Sequence, residues 1–415
     1  MKSRKIFIIL LSLLFGCFIV FSSVSCGGGG GSSSNDGGGT DNGDSAPAGP
    51  WLCFTADGGN VDVKIGIYKA LSVVPNLEWS SDGETWNAIT IDNNDWTTTP
   101  ITTLSNGKRM YIRATTTSGT FSESDDNFLC FEFDGSGKVK ASGNIMSLLD
   151  KSCASTTIPN EYCFICLFSD CEQLISAPEL PATTLTVGCY EQMFHGCTNL
   201  ATAPALPAES LFAHCYDGMF KHCTALTIAP ALPATTLAES CYEQMFYFCT
   251  NLTTAPGLPA TTLSDYCYCF MFQDCTSLAA APELPATTLA DHCYCCMFEN
   301  CTNLTTAPAL PATTLVDYCY YSMFDGCSSL ITAPELPAET LVEGCYGWMF
   351  NDCTSLTSIK VHFATAGWSV TDATDNWVGG VTTGDSSRKF HYKTGLDVST
   401  KDNDHVPAGW DTIPF

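Results

Sequence analysis

The sequence of 415 residues predicts an α/β solenoid of eight 26-residue repeats, preceded by a small all-β, sandwich-like domain. Three observations predict this fold: a repeated unit without insertions, an apolar stripe inside every unit, and alternation of polar and apolar residues upstream of the repeats. A fixed period between about 20 and 50 residues is typical of solenoids, in which each unit buries its apolar face by stacking on its neighbours. The chain is therefore expected to serve as an extended display surface.

The repeated unit reads C-Y-x-x-M-F-x-x-C-T-x-L-x-x-A-P-x-L-P-A-T-T-L-x-x-x and recurs through residues 163–356. Its first apolar positions fall at i, i+1, i+4, i+5 and i+8, the stripe that one face of a helix presents to a core, so a short helix is predicted in every copy. The two prolines that follow permit only a very short extended segment. Stacked in parallel, these segments are expected to form a narrow sheet opposite the helices.

The helix motif C-Y-x-x-M-F-x-x-C-T-x-L and the following A-P-x-L-P-A-T-T-L closely resemble the repeats of BspA-like leucine-rich-repeat surface proteins of bacteria. The resemblance covers the repeat region. It implies a leucine-rich-repeat fold, display on the cell surface and, in some members, adhesion to host extracellular-matrix proteins. It brings no shared catalytic residues, and the repeat consensus does not encode the ligand.

The N-terminus predicts export and anchoring. Basic residues precede an apolar run over residues 6–21, and small residues lead to Cys26, as in a secretion signal. The segment Ser23-Val24-Ser25-Cys26 resembles a bacterial lipobox, which implies that Cys26 is lipid-modified. Residues 1–26 are thus assigned to a lipoprotein signal peptide and residues 27–50 to a flexible Gly/Ser-rich linker. The mature protein is expected to cross the inner membrane and remain lipid-anchored to the outer membrane or cell surface.

Residues 51–142 alternate polar and apolar side chains in runs separated by the turn pairs Asp57-Gly58, Asp82-Gly83 and Asn106-Gly107, which indicates about seven strands. Segment 80–86 resembles the Asp-box hairpin of sialidases, but it occurs once, which favours a plain hairpin turn. Residues 143–162 are expected to cap the first repeat.

The tail, residues 357–415, is expected to cap the other end of the solenoid. Ile359, Val361 and Phe363 are predicted to form its final strand.

The charge balance is acidic, with 43 Asp and Glu against 17 Lys and Arg. Within the repeats Lys221 is the single basic residue apart from histidines. Such a surface repels phosphate backbones and anionic membranes, which argues against nucleic-acid binding and limits membrane association to the N-terminal lipid. Two interpretations stay open: the acids keep an exposed solenoid soluble, or they attract a basic partner.

The 25 cysteines raise the question of a disulfide or metal framework. Two cysteines eight residues apart on a helix lie ~12 Å apart, too far for a disulfide, so most are expected to be free and buried. Cys269 and Cys295 break the consensus at the same position of neighbouring repeats and could pair. Zinc-type spacings are absent from the sequence, and neither a metal site nor a cofactor is predicted.

Functional residues are expected on the outward positions of the repeats. No nucleophile, base and orienting group fall together, so no catalytic residues are predicted and the chain is interpreted as a non-enzyme. Unexpected aromatic residues are instead candidate partner-binding residues, because large aromatic side chains supply interface hot spots. They are Tyr247, Phe248, Phe270, Tyr321 and Trp348. The competing interpretation is that some of them pack against the adjacent repeat.

The predicted function is binding of a protein partner, a host matrix or cell-surface protein, through the solenoid. A first alternative is a glycan-binding accessory protein, in which the β domain near Trp79 and Trp86 holds the ligand and the repeats are a spacer. A second alternative is a degradative enzyme, which detectable turnover of a glycan or peptide would favour.

Overall fold

The computed structural model describes residues 49–116 and 121–415, which belong to one compact unit. The predicted signal peptide, Cys26 and nearly all of the linker lie outside these residues. Strands β1 to β8 precede the repeats and β9 to β13 lie within or after them. They are β1 (Leu52–Asp57), β2 (Val61–Ile67), β3 (Leu77–Ser80), β4 (Asn87–Ile89), β5 (Thr97–Leu104), β6 (Arg109–Ala114), β7 (Leu129–Gly135), β8 (Lys138–Ser142), β9 (Leu174–Ser176), β10 (Thr332–Leu336), β11 (Ser358–Val361), β12 (Lys389–Tyr392) and β13 (Asp411–Pro414).

The N-terminal strands form two sheets with the orders β4-β3-β6-β1-β8-β9 and β5-β2-β7. Their apolar faces meet, since the rings of Phe54 on β1 and Phe131 on β7 contact each other edge to face at 5.0 Å. The turn at Asp82-Gly83 joins the antiparallel pair β3 and β4 and is therefore a plain hairpin. The other two turn pairs instead carry the chain from one sheet to the other, because β1 and β2, and likewise β5 and β6, lie in different sheets.

The predicted repeat helices are wrong. The described residues contain two 3₁₀ segments, Ile145–Leu148 and Thr365–Ser369, and no α-helix. The segments with the apolar stripe are instead ribbons of overlapping turns. Their apolar positions recur every four residues rather than every 3.6, which is the spacing of an α-helix. A period of four suits a ribbon whose backbone conformation repeats at every fourth residue.

The backbone of this ribbon alternates two kinds of hydrogen bond. In the second copy, the amides of Glu191, Met193 and His195 donate to the carbonyl three residues earlier, at 3.1–3.2 Å. The amides between them donate to the next copy, as in the Gln192 to Asp217 bond of 2.8 Å. Every second amide is therefore satisfied only by the neighbouring repeat, which makes the ribbon a product of stacking rather than a local helix.

Every fourth residue of the ribbon adopts the left-handed conformation, with φ of 59° at Gly188, 52° at Gln192 and 70° at Gly196. Non-glycine residues lose about 1–2 kcal/mol in this conformation. Several copies place Gly, Asn or Asp there, the residues that tolerate it best. Glycine or short polar residues at fixed positions of the repeat are therefore the sequence signal that the helical interpretation overlooked.

The core of the solenoid is a stack of identical side chains. The tyrosines and phenylalanines of successive copies stack with ring centroids 5.5–6.0 Å apart. The second cysteine of each copy is buried, as expected. From the second copy onward its thiol contacts a phenylalanine carbonyl of the preceding copy, as in Cys249 Sγ to Phe220 O at 3.1 Å, and in the first copy Cys171 contacts the carbonyl of Phe131 on β7. The apolar consensus side chains thus form the core of the solenoid and are not available for binding.

The predicted narrow sheet forms only at the ends of the repeat array. Between central copies the chain makes single parallel bridges, such as Ile228 with Thr254 and Ala280 with Thr306. The A-P-x-L-P segment expected to be extended, around residues 203–206, contains no strand. Prolines cannot donate to a ladder, so they interrupt pairing there. In the seventh copy the corresponding segment does form a strand, β10, but its pairing with β11 shifts register between Thr332 and Glu335.

Both ends of the array are covered. At the first copy, β8 pairs in parallel with β9 and the ring of Phe131 stacks on Phe168 at 5.6 Å, so the N-terminal sheets share the solenoid core. At the other end, the strand containing Ile359 and Val361 is not final, because β12 and β13 continue the parallel sheet after β11. Trp377 closes the phenylalanine stack, 6.2 Å from Phe350.

Two glycines at different points of the repeat test this backbone. Gly326→Ala should destabilise the protein by about 1 kcal/mol or more, since φ is +70° and the new Cβ would lie 2.3 Å from Asn300 Oδ1. Gly257→Ala should be neutral or stabilising by about 0.4–1 kcal/mol, because other copies carry alanine there and the Cβ meets nothing within 4 Å. Denaturant unfolding of both variants measures the difference, and equal effects would contradict the left-handed ribbon.

Candidate functional site

The ribbon presents its variable residues to solvent in rows, one residue per copy. Counting the first cysteine of a copy as position 1, the aromatic candidates fall into two groups of positions. Phe270, Tyr321 and Trp348 occupy positions 3 and 4 of the fifth, seventh and eighth copies. Tyr247 and Phe248 occupy positions 7 and 8 of the fourth copy. The structure therefore assigns the five predicted residues to two surfaces.

The first surface, which we call the aromatic strip, extends over copies four to eight. Its members are Tyr266, Phe270, His292, Tyr318, Tyr321 and Trp348, all of them half-buried. Tyr266, His292 and Tyr318 stack in sequence, with centroids 4.6 and 4.9 Å apart, and Tyr318 contacts Tyr321 at 5.7 Å. The Tyr321 ring lies against Gly347, next to Trp348. Packing against adjacent repeats thus orders these rings while leaving part of each exposed.

An acidic row flanks the aromatic strip. Position 25 carries an exposed acid in five successive copies, and these acids are Glu239, Asp265, Asp291, Asp317 and Glu343. The Tyr318 hydroxyl donates to Glu343 Oε1 at 2.9 Å, which links the row to the strip. Residues 241–353 contain no lysine or arginine. The surface around the aromatic rings is therefore negative.

The second surface, which we call the histidine patch, lies on copies two to four. Phe248 is 39% exposed and its ring lies 5.0 Å from that of His222. Lys221 Nζ lies 4.7 Å from the centre of the Tyr247 ring. Burial lowers the pKa of His222 to about 4, and the nearby His195 and Lys221 act in the same direction. The patch is therefore less acidic than the strip and carries one basic side chain.

A third group has the donor set of a cation site. His214 Nδ1 lies 3.2 Å from Asp217 Oδ2, and with a Glu243 carboxylate oxygen these atoms fall within 4.8 Å of one another. Imidazole and carboxylate donors at this spacing could hold a divalent cation such as Zn²⁺. In the protein as described, the hydrogen bond to Asp217 raises the pKa of His214 to about 8.

Trp86, a residue of the glycan-binding alternative, belongs to a cluster on the N-terminal sheets. The Arg113 guanidinium lies 3.5 Å from the centre of the Trp86 ring and forms an ion pair with Glu78 at 2.7 Å. Trp51 contacts the same ring edge to face at 5.0 Å. Because Arg113 covers one face of Trp86, that face is not free for stacking on a sugar.

Sequence reasoning missed Tyr266, His292 and Tyr318, because aromatic candidates were sought at the outward positions of the predicted helices. The signal was present, since the fourth, fifth and sixth copies carry a ring in succession at position 26, whereas the second has His214 and the first, third and seventh have Gly or Ser. Stacking of neighbouring copies turns such a run into a continuous surface. The relevant pattern is the residue type found at one position in successive copies. This pattern is not apparent when the sequence is followed residue by residue.

Stacked turns, a continuous core and rows of variable side chains define a solenoid repeat protein with a surface suited to binding. A family model described as the BspA type leucine rich repeat region matches residues 160–281 and 268–366, in 6 copies. The chain belongs to the BspA-like leucine-rich-repeat proteins, whose repeats generally mediate protein binding. A comparison with curated proteins gives no match. Within residues 49–116 and 121–415, no helix has the length and apolar character needed to cross a membrane.

Two histidines should titrate on opposite sides of the ordinary value of about 6.5. We expect His214 to titrate near pH 8 and His222 near pH 4 in an NMR titration of ring protons. Because the folded pKa of His214 is raised, its stabilising contribution is fully present below about pH 6.5 and disappears as pH rises through about 8.

Asp217→Asn should move the His214 titration down and leave that of His222 unchanged. Coincident titrations of the two histidines in the unaltered chain would contradict the contacts described for both.

Proposed function

We propose that this protein is a lipid-anchored surface protein that binds a host matrix or cell-surface protein through the aromatic strip. The supporting observation is a row of ordered, half-exposed aromatic rings beside a row of acids. The family supports protein binding as the general role and non-enzymatic action of the repeats. Surface display rests on the basic and apolar N-terminus and on Cys26 as the site of lipid attachment.

The aromatic strip suits binding because its side chains are already ordered. Interface hot spots are enriched in Trp and Tyr, and binding loses less entropy when such side chains are held before the partner arrives. Tyr266, His292 and Tyr318 are held by mutual stacking, and Trp348 Nε1 lies 3.3 Å from Asp375 Oδ2. A partner would therefore meet a preformed surface.

The charge of the strip selects the class of partner. Asp265, Asp291, Asp317 and Glu343 would repel an acidic surface and attract lysine and arginine side chains. Cations can also lie over the exposed faces of the aromatic rings. We therefore expect a partner with a basic surface or segment, and binding that weakens as salt rises.

Point variants test this proposal more sharply than deletion of the repeats. The N-terminal sheets share their core with the first copy, through Phe131 and Phe168, so deletion of residues 163–353 would expose apolar surface and disturb both parts. The chain from Gly27 onward should first be measured against immobilised matrix proteins and glycans. Variants are then compared on the proteins that bind.

Trp348→Ala and Phe270→Ala should each weaken binding about tenfold or more, because truncation of a hot-spot residue typically costs above about 1–2 kcal/mol. Phe248→Ala, on the histidine patch, is the matched control and should bind normally.

Asp291→Asn with Asp317→Asn should slow association and reduce its dependence on salt. Thermal unfolding must show that each variant remains folded. Binding that survives both strip variants but is lost in Phe248→Ala would assign the function to the histidine patch.

The glycan-binding alternative has weaker support, because Arg113 occupies a face of Trp86. It predicts that binding to glycans is retained in the strip variants and lost in Trp86→Ala. Turnover of a glycan or peptide by the purified chain would support the enzymatic alternative.

A further inference from the structure

Three cysteines outside the repeat consensus meet beneath the aromatic strip. Cys295 Sγ lies 3.5 Å from Cys296 Sγ, and the Cys269 thiol also interacts with that of Cys295. All three side chains are buried, with exposures of 1% for Cys269 and 6% for the other two. Tyr266, Phe270 and Tyr321 pack against them. Departures from the consensus in two adjacent copies thus produce one cluster of sulfur atoms.

The consensus cysteines of the same copies provide a direct comparison. Cys275 and Cys301 also occupy equivalent positions in the fifth and sixth copies, but their thiols contact backbone oxygens, those of Phe246 and Phe272, at 3.1 Å. Burial raises the pKa of both thiols. A third equivalent pair is Cys267 and Cys293, and the Cys293 thiol likewise contacts a backbone oxygen, that of Cys319 at 4.0 Å. Only the thiols of Cys269 and Cys295, which we call the outer pair, hydrogen-bond to each other.

The spacing of the copies fits a disulfide at the outer pair. The rings of Tyr268 and Tyr294, which directly precede Cys269 and Cys295, stack with centroids 5.7 Å apart. The Phe270 amide donates to the Cys295 carbonyl at 2.9 Å, which holds the two backbones side by side. Disulfides usually join Cα atoms about 4.4–6.8 Å apart. We propose that Cys269 and Cys295 are an oxidation site whose disulfide cross-links the fifth and sixth copies, with Cys296 as a third thiol able to exchange into it.

Cys295 is the reactive member of the cluster. The thiols of Cys269 and Cys296 lower its pKa by hydrogen bonding, and the charge of His292 acts in the same direction. His292 also has a buried Nδ1 atom without a hydrogen-bond partner among the described residues. The thiolate is the nucleophile in disulfide exchange. We therefore expect Cys295 Sγ, which contacts both other thiols, to react first.

The oxidation requires an external disulfide, such as oxidised glutathione or a thiol oxidoreductase. The Cys295 thiolate attacks one sulfur of that donor, forms a mixed disulfide and releases one donor thiolate. The Cys269 thiolate then attacks Cys295 Sγ, forms the Cys269–Cys295 bond and releases the second thiolate. Two electrons pass to the donor, and the protons of the two cysteines end on the two released thiols. Cys296 can attack Cys295 in the same way and release Cys269 again.

Peptide mapping of the chain from Gly27 onward tests the proposal. The reduced protein is equilibrated with oxidised glutathione, the free thiols are blocked with a maleimide in denaturant at mildly acidic pH, and the protein is digested with pepsin. We expect a linked peptide joining Cys269 to Cys295, while Cys275 and Cys301 are alkylated. This measurement needs no variant.

Oxidation should also raise the unfolding temperature by several degrees, because a cross-link over 26 residues restricts the unfolded chain.

Single variants separate the roles of the three thiols. Cys269→Ser and Cys295→Ser should abolish the cross-link and its effect on unfolding, whereas Cys296→Ser should retain both. Alkylation of both Cys269 and Cys295 after oxidation would overturn the proposal. So would a bond between Cys295 and Cys296 alone, or a bond between Cys275 and Cys301, because neither comes from the outer pair.

Discussion

The structure depends on hydrogen bonds that every copy makes to the next one. In the turn ribbon, alternate amides have their partner only in the neighbouring copy, and every fourth residue is left-handed. Three such residues cost about 3–6 kcal/mol per copy when none is glycine. Burial of four large apolar side chains per copy contributes about 6–12 kcal/mol, and stacked rings add to it. The strained backbone of the ribbon is therefore stable only when neighbouring copies stack on it.

The same constraint explains the constant length of the repeat. An insertion within a copy would shift the ribbon relative to both neighbours and move tyrosine, phenylalanine and cysteine out of their stacks. It also explains why the ends need dedicated structures. Phe131 and β8 cover the exposed end of the first copy. Trp377 and strands β11 to β13 cover that of the last copy, so the flanking regions complete the core.

The repeat pattern predicted the solenoid and the buried cysteines, because exact spacing implies stacking whatever the local conformation. It did not predict the ribbon, since an apolar stripe at i, i+4 and i+8 suits a helix almost equally well. The left-handed positions were the deciding signal, as Gly196 and Asn300 show. Strands over residues 61–67 and 129–135 were predictable from alternation, whereas the pairing of β1 with β6 and β8 depends on contacts distant in sequence.

The location of the candidate sites follows from the difference between consensus positions, which are buried, and variable positions, which face solvent. Tyrosine, phenylalanine and the consensus cysteines are fully enclosed by neighbouring copies, so they are unavailable to a partner. Variable positions face outward, and stacking places those of adjacent copies side by side. One substitution there is an isolated surface residue, but similar substitutions in successive copies form a row. Tyr266, His292 and Tyr318 make an aromatic surface in this way, and Cys269 with Cys295 brings two thiols together beneath it. Changes at a few positions can therefore alter the binding properties of the surface while the core stays the same.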